Sequence, residues 1–505
     1  MGRMRRREFL LTTAAGPLWA QRWKSVPAMK VGFAETDITP EIGMEQPGGY
    51  GKAFHRSLHD SCKTRVAVFD DGVKRAAVVG LDALAVPHHL VLAVRKEIES
   101  RCGIPGEAVL INASHSHSSG PTGMVQPGEF DAAPPLIRTL AYEKSSMADA
   151  RYLRKVHESI VKAVCDADAG RRELVCGVGS GVEDKAAYNR RIRMKNGRTF
   201  THPGQGNPDM LKYAGPIDPE VGVIGAWTRT GELAGCIVNY ACHATTSPGG
   251  ISANWIYWLE KVIRGYYGPN VVVVFVQGAS GDITQVDNLS PYAAPNGKEY
   301  AEIVGGRVGA EAVKTLLTMH RGSLAPVDYR QRLLKIPRRK PAATRVQAAY
   351  QMVAKEAKEA GVTEWTFAKE TVLLDWLTQR EPVADVEVQA IQAGPAVFVS
   401  NPAEYFVEFG LEIKQKSHFP FTFPASLSNG CVGYVPTEEA LSESGGGYET
   451  RLTYYSNLEP SAGRQIAAAG IALANQMTPG LVPEAPKAKP AAGPWQYGNV
   501  PPEVK

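Results

Sequence analysis

The chain has 505 residues, 44% hydrophobic and 21% charged, a balance that excludes disorder or a fibrous repeat for its bulk. Fifty-six basic residues against 51 acidic ones leave a formal charge of +5, and no nucleic-acid-binding motif accompanies that small excess. The length suits one large catalytic unit or two to three ordinary domains.

Residues 1–20 read as an export signal. Arg5-Arg6-Arg7-Glu8-Phe9-Leu10-Leu11 opens a short apolar run to Trp19, followed by Ala20-Gln21. The run is below the ~18–20 residues that span a bilayer, and Arg6-Arg7-x-Phe9-Leu10 resembles the twin-arginine type. A periplasmic or secreted protein without a stable membrane span is therefore expected. The signal holds four arginines and one glutamate, which account for three of the five excess charges.

Lys30–Phe33, Arg65–Phe69, Arg75–Gly80 and Val109–Ala113 read as short buried strands. His88–Arg101 and Tyr152–Ala167 have helical apolar spacing between them. Val271–Val276 is a β-branched and aromatic run that delivers Gln277-Gly278-Ala279-Ser280-Gly281-Asp282 at its C-terminal end, where open α/β sheets bind ligands. Thr344–Arg380 is expected to be helical with a break near Gly361, and a strand pair follows at Val383–Ile391 and Ala396–Ser400. The basic stretch from Arg330 to Lys340 alternates with Leu333, Leu334 and Ile336, as a half-buried strand with a solvated face does. From residue 477 the chain is Pro-rich and reads as an extended tail. Interleaved strands and helices predict an α/β fold: one large layered domain with mixed sheets and a metal site at strand-end loops. The seven cysteines form no Cys-x-x-Cys pair, so neither a zinc ribbon nor a disulfide scaffold is indicated, and a single bridge remains open.

The sharpest chemical signal is Asn112-Ala113-Ser114-His115-Ser116-His117-Ser118-Ser119-Gly120-Pro121 after an apolar strand. Residues two apart on extended backbone share a side, and paired imidazoles at a strand end suit a divalent metal. His243 follows the strand ending at Tyr240, Glu404 lies just beyond Ala396–Ser400, and Asn429–Thr437 is a Gly-framed turn presenting Tyr434. Singly, each has an ordinary structural explanation.

Together these segments resemble the catalytic region of the neutral (non-lysosomal) ceramidases. Gly32-x4-Asp37-Ile38-Thr39-Pro40 resembles that family's opening, and Arg56-x2-His59-Asp60 its next motif. His115-Ser116-His117-Ser118-Ser119-Gly120-Pro121 is similar to its His-Thr-His-Ser-Gly-Pro with one added Ser. Tyr188-Asn189-Arg190, Gly281-Asp282-Ile283-Thr284 and Asn429–Glu439 match further motifs in family order, over about residues 30–470.

The resemblance implies a zinc-dependent amidohydrolase domain over 29–476, with Zn2+ held by His115, His243, Glu404 and Tyr434. It places His117 and Arg190 beside the scissile group, and Thr284 where the family has a serine, with Ser280 as an alternative hydroxyl. Asp82 is a candidate outer acceptor for a ligand histidine. A small-molecule or lipid-like substrate is implied, ceramide by family alone. The same scaffold acting on a sugar-linked amide, an ester or a glycosidic bond is the first alternative, and a non-catalytic binding protein the second. The Thr284-Gln285-Val286 loop departs from the family pattern, and a Pro-rich tail stands where the family has an immunoglobulin-like domain. For an acyl chain, Val372–Leu377 is a candidate groove lining.

Overall fold

A computed structural model describes residues 28–490, 493, 497–498 and 500–504, so the export signal lies outside the described residues. Eight strands form the main sheet: β1 (Met29–Asp37), β2 (Lys63–Asp70), β3 (Arg75–Leu81), β4 (Val109–Ala113), β5 (Arg172–Val182), β6 (Glu220–Trp227), β7 (Leu233–Tyr240) and β8 (Val272–Gln277). Their order is β8-β7-β6-β5-β1-β2-β3-β4. The β3–β4 and β7–β8 pairs are parallel and the others antiparallel. Strands β2, β3 and β8 are rich in Val and Ala and buried on both faces, as a sheet covered on both sides requires.

The sheet curls until β8 packs across β2 and β3. Gly80 permits that approach: a Cβ there would stand 2.4 Å from the Phe275 carbonyl oxygen. The helices His88–Cys102 and Ala150–Ala169 cover the β1–β3 region, and Trp255–Tyr267 with Gly297–Thr318 cover β5 and β6. Asp149, Asn254 and Asn296 cap three of these helices through side-chain oxygens that accept backbone N–H groups.

A second sheet comprises β9 (Val327–Pro337), β10 (Val383–Ala393), β11 (Ala396–Ser400) and β12 (Phe421–Ala425), in that order, with β11 and β12 parallel. Strand β9 exposes Arg332 and Lys335 and buries Ile336 as its sequence predicts, but Leu333 is exposed as well. The helical stretch before β10 forms Ala343–Val353, Ala357–Ala360 and Val362–Arg380, broken at Gly361, where φ is +83°. Within Val372–Leu377, Val372 and Leu373 do not line a groove, since they pack with Val125, Phe130 and Ile137 in a closed apolar cluster, whereas Leu377 borders a chamber with His88 and Glu381. The buried Arg95–Glu387 pair, with N–O distances of 2.9 and 3.0 Å, ties the His88–Cys102 helix to β10. Asp82 is likewise committed elsewhere, accepting from Arg65 Nη1 and the Lys63 N–H, both at 2.8 Å, and so supports no site histidine.

All seven cysteines are free thiols, the nearest pair being Cys102 and Cys165 with Sγ atoms 3.2 Å apart. Among the described residues, no helix is long and apolar enough to cross a membrane.

The two sheets are sewn together where β4, β7, β8, β11 and β12 end. Asn112 Oδ1 accepts from the Gln277 N–H at 2.7 Å, while its amide nitrogen donates to the Ser426 carbonyl at 2.6 Å. Asn239 Nδ2 donates to the Val276 and Pro424 carbonyls, each at 3.0 Å. These buried amide bonds fix the strand ends relative to one another. The candidate site lies just beyond them.

Candidate metal centre

Three short backbone pairings assemble the centre. Ser116 bridges Ala244 in parallel, and the His117 N–H donates to the Ala244 carbonyl at 3.1 Å, which brings the 115–117 segment beside His243. Glu404 pairs with Tyr434 in a two-residue parallel bridge. Ile283 pairs with Asn189, and the Arg190 N–H donates to the Asp282 carbonyl at 2.9 Å. The Asp282 carboxylate joins the last two parts, accepting from Asn189 Nδ2 at 2.8 Å and the Val407 N–H at 2.9 Å. Beneath them, Asp60 accepts from the Ala253 N–H at 2.8 Å, and the Ser252 carbonyl accepts from Ser116 Oγ at 2.9 Å. The Arg56-x2-His59-Asp60 segment thereby braces the histidine loop.

His115 Nδ1 lies 2.8 Å from the Leu84 carbonyl, and His243 Nδ1 lies 2.6 and 2.9 Å from the Ser280 and Ile283 carbonyls. Carbonyls only accept, so both Nδ1 atoms carry the proton and both Nε2 lone pairs face inward, as ligating imidazoles require. His115 has φ +61°, a left-handed conformation uncommon outside glycine and held here by its surroundings. The Nε2 atoms of His115 and His243 stand 3.2 and 3.0 Å from one atom, Glu404 Oε2. Ligands about 2.1 Å from a tetrahedral ion stand roughly 3.4 Å apart, so this donor set fits a small divalent cation. His117 Nε2 lies 3.2 Å from His115 Nε2, and the three imidazoles offer nitrogen atoms all within 4.8 Å of one another.

Arg190 is fixed from three sides. Its Nε donates to Glu449 Oε1 at 2.8 Å, and Nη2 donates to the Gly281 carbonyl at 2.7 Å and the Tyr434 hydroxyl at 3.1 Å. Nη1 reaches His243 Nε2 at 3.4 Å, and the guanidinium carbon lies 5.6 and 5.2 Å from the ring centres of Tyr434 and Tyr448. The Tyr434 and Tyr448 hydroxyls are 2.9 Å apart.

Electrostatics sort these groups. Burial, then the neighbouring His115 and His243, hold the His117 imidazole well below its ordinary value, and burial with Arg190 lowers His243 to about 4. Burial alone would raise the Glu404 carboxyl, but His115 and His243 packed against it outweigh burial and hold it well below the usual carboxylate range. Burial and the Glu404 charge push the Tyr434 phenol well up. The result is one ionised carboxylate beside the His117 and His243 rings, whose proton uptake burial opposes, a combination that welcomes a cation.

Above the centre lies a cavity of about 60 Å³, bordered by Gly48, Gly49, Leu84, Met124, Tyr448 and Tyr455. Six of the seven expected residues meet here: His115, His117, Arg190, His243, Glu404 and Tyr434. Thr284 adjoins them through Ile283, whose carbonyl lies 2.9 Å from His243 Nδ1, and its own hydroxyl donates to Gln285 Oε1 at 3.0 Å. Ser280 contributes its carbonyl to His243, while its hydroxyl accepts from Gln277 at 2.6 Å. Sequence reasoning missed Glu449 and Tyr448, although Gly445-Gly446-Gly447 immediately before them marks a segment that turns tightly into the site. It missed the Gly48-Gly49 wall as well.

The fold and the site define a mixed α/β protein whose buried centre of histidines, one carboxylate and a tyrosine includes a three-histidine cluster spaced to hold a metal ion. No protein-family profile matches the chain. Neutral ceramidase of Pseudomonas aeruginosa is 23% identical over 325 residues, 61% of this chain and 45% of that protein, so the match spans under half the relative's length. A solved structure of that enzyme superposes with a TM-score of 0.65 at 20% identity, covering 91% of this chain and 77% of the other. A structure described as ceramidase complexed with C2 gives 0.65 at 19% identity with the same coverage. The resemblance to neutral ceramidases read from the motifs thus holds in sequence and in fold.

Proposed function

We infer that this chain is an exported zinc-dependent hydrolase that cleaves an N-acyl (amide) bond. The convergence of His115 and His243 Nε2 on Glu404 Oε2, at 3.2 and 3.0 Å, carries the reading. The name of the relative, neutral ceramidase, supports the amide class. Export is supported by the Arg5–Arg7 start and the apolar run behind it.

His115, His243, Glu404 and Tyr434 would hold the ion, which when bound supplies a water of lowered pKa and Lewis acidity. Arg190 Nη1 keeps a hydrogen free to donate to the scissile carbonyl oxygen as negative charge builds there, its other donors being committed to Glu449, Gly281 and Tyr434. His117, neutral and beside His115, is placed to take up a proton and return it to the departing nitrogen. Tyr448 and Tyr455 restrict water in the cavity.

The purified chain is expected to carry one zinc per molecule and to lose N-acyl hydrolysis on chelation, with recovery on adding zinc. His115→Ala should lower bound zinc below about a tenth of an equivalent, read by elemental analysis, because a four-ligand site loses most of its affinity with one ligand. Full zinc content and full activity in that variant would sink the proposal.

Gly48→Ala tests His117 separately. Gly48 has φ +105°, and a Cβ there would lie 2.2 Å from His117 Nδ1, so the imidazole must move. A displacement of about 1 Å in a reacting group costs roughly 100-fold. Turnover is expected to fall by about that factor with zinc content unchanged, and an unaltered rate would remove His117 from the reaction.

A further inference from the structure

A second chamber of about 210 Å³ adjoins the metal cavity and shares Met124 and Tyr455 with it as common walls. Its polar groups come from five separate parts of the chain: His88 and His89, Gln126 and Glu129, Arg338, Glu381, and Tyr454. Most are locked in place. The Tyr454 hydroxyl donates to Glu129, Arg338 Nη1 donates to Asn457 Oδ1 at 2.7 Å, and His88 Nδ1 lies 2.7 Å from the Asn429 carbonyl. The Gln126 amide nitrogen donates to the Thr122 and Gly123 carbonyls, each at 3.1 Å, while its Oε1 has no partner; Arg338 Nε is likewise unmatched.

Ala85, Pro87, Leu377 and Val432 give the chamber an apolar side as well, but a hydrocarbon tail seated there would strip water from two carboxylates and a guanidinium and return no hydrogen bond. The lining also differs from a simple ion site, since acidic and basic groups are interspersed among the Tyr454 and Tyr455 rings. Adjacent hydroxyls on a compact ring satisfy that mixture: they donate to Glu129 and Glu381, accept from Arg338 and imidazole, and lay C–H faces on the tyrosines. The small metal cavity, walled by Gly48, Gly49 and Tyr448, suits a short acyl group.

We propose that the outer chamber is the subsite for the amine half of the substrate and that this half is a hydroxyl-rich ring, making the substrate a short-chain N-acylated amino sugar. This rests on the N-acyl hydrolase reading of the neighbouring centre. The reaction is plain hydrolysis: the C–N bond breaks, water supplies hydroxyl to the carbonyl carbon and a proton to nitrogen, and a carboxylate and an amino sugar leave without redox change.

The test uses the zinc-loaded full chain with N-acetylglucosamine as substrate, glucosamine as a non-reacting ligand and N-hexadecanoyl sphingosine as the lipid competitor. N-acetylglucosamine is expected to be cleaved with the higher kcat/KM. Calorimetry should show saturable glucosamine binding that weakens at least tenfold in Glu129→Gln and in Glu381→Gln. KM should rise in both variants by a similar factor, with kcat changing much less. Both positions are exposed, so folding should persist, checked by circular dichroism and Tm. Absent or unaltered glucosamine binding, or preferred cleavage of the lipid, would overturn the sugar subsite. Hydrolysis of a simple aryl acetamide by the wild-type protein separates the two ideas: if it survives, only the subsite falls, and if it is absent, the hydrolase reading falls with it.

Discussion

Replacing Arg190 by Met is expected to destabilise the protein by about 3–5 kcal/mol, the range found when one member of a buried ion pair is removed. Arg190 is 3% exposed and Glu449 not at all, so the substitution leaves a carboxylate in the interior with no cation on the Arg190 side. The Gly281 carbonyl and the Tyr434 hydroxyl lose a donor as well. At about 2.1 cal/mol/K of unfolding entropy per residue, the loss corresponds to a Tm lowered by roughly 3–5 °C. The double variant Arg190→Met/Glu449→Gln should recover a large part of it, because the second change removes the stranded charge. Calorimetric or urea unfolding checks both. Equal loss in the single and double variants would mean that the pair contributes through packing around Tyr434 and Tyr448 and not through charge.

Glu404→Gln should act in the opposite way, with little effect on the fold and a large one on chemistry. The amide keeps the shape and one oxygen, but the negative charge that offsets a divalent cation is gone, in a place too buried for water to replace it. Zinc affinity is expected to fall by at least about 100-fold and kcat/KM by about 1,000-fold or more, roughly 4 kcal/mol of lost transition-state stabilisation. Chelator-competition titration and steady-state kinetics read these two quantities. Zinc affinity unchanged in Glu404→Gln would take Glu404 out of the ligand set and leave the three imidazoles as the metal-binding group.

The strands and helices near the site were legible because their burial pattern is local. Val109–Ala113 and Ala396–Ser400 are mostly apolar and buried throughout, and they coincide with β4 and β11. His115, His243, Glu404 and Tyr434 were legible as weak signals at strand ends, and their convergence was visible only through family likeness. Asp82 was misplaced because a carboxylate after a strand looks alike whether it faces a metal or, as here, the buried Arg65. Val372 and Leu373 look available in the sequence because an apolar helix face does not state its partner, which is the 125–137 region. Glu449 stayed hidden because its role exists only beside Arg190, 259 residues earlier. Side chains that act through distant partners leave no periodic trace in the sequence.

The short pairings that build the centre also bear on when it can form. Glu404 meets His243 across 161 residues of chain, and Ser116 and Asn189 each pair with a segment remote in sequence. Contacts of such separation carry the largest loop-closure cost and are expected late, after both sheets have closed. A ligand that recognises the finished centre therefore binds only chains whose two sheets are already docked. Its binding energy adds to the stability of that state alone. The centre in this way reports on the completeness of the whole fold, from the histidine loop to the last turn before Glu449.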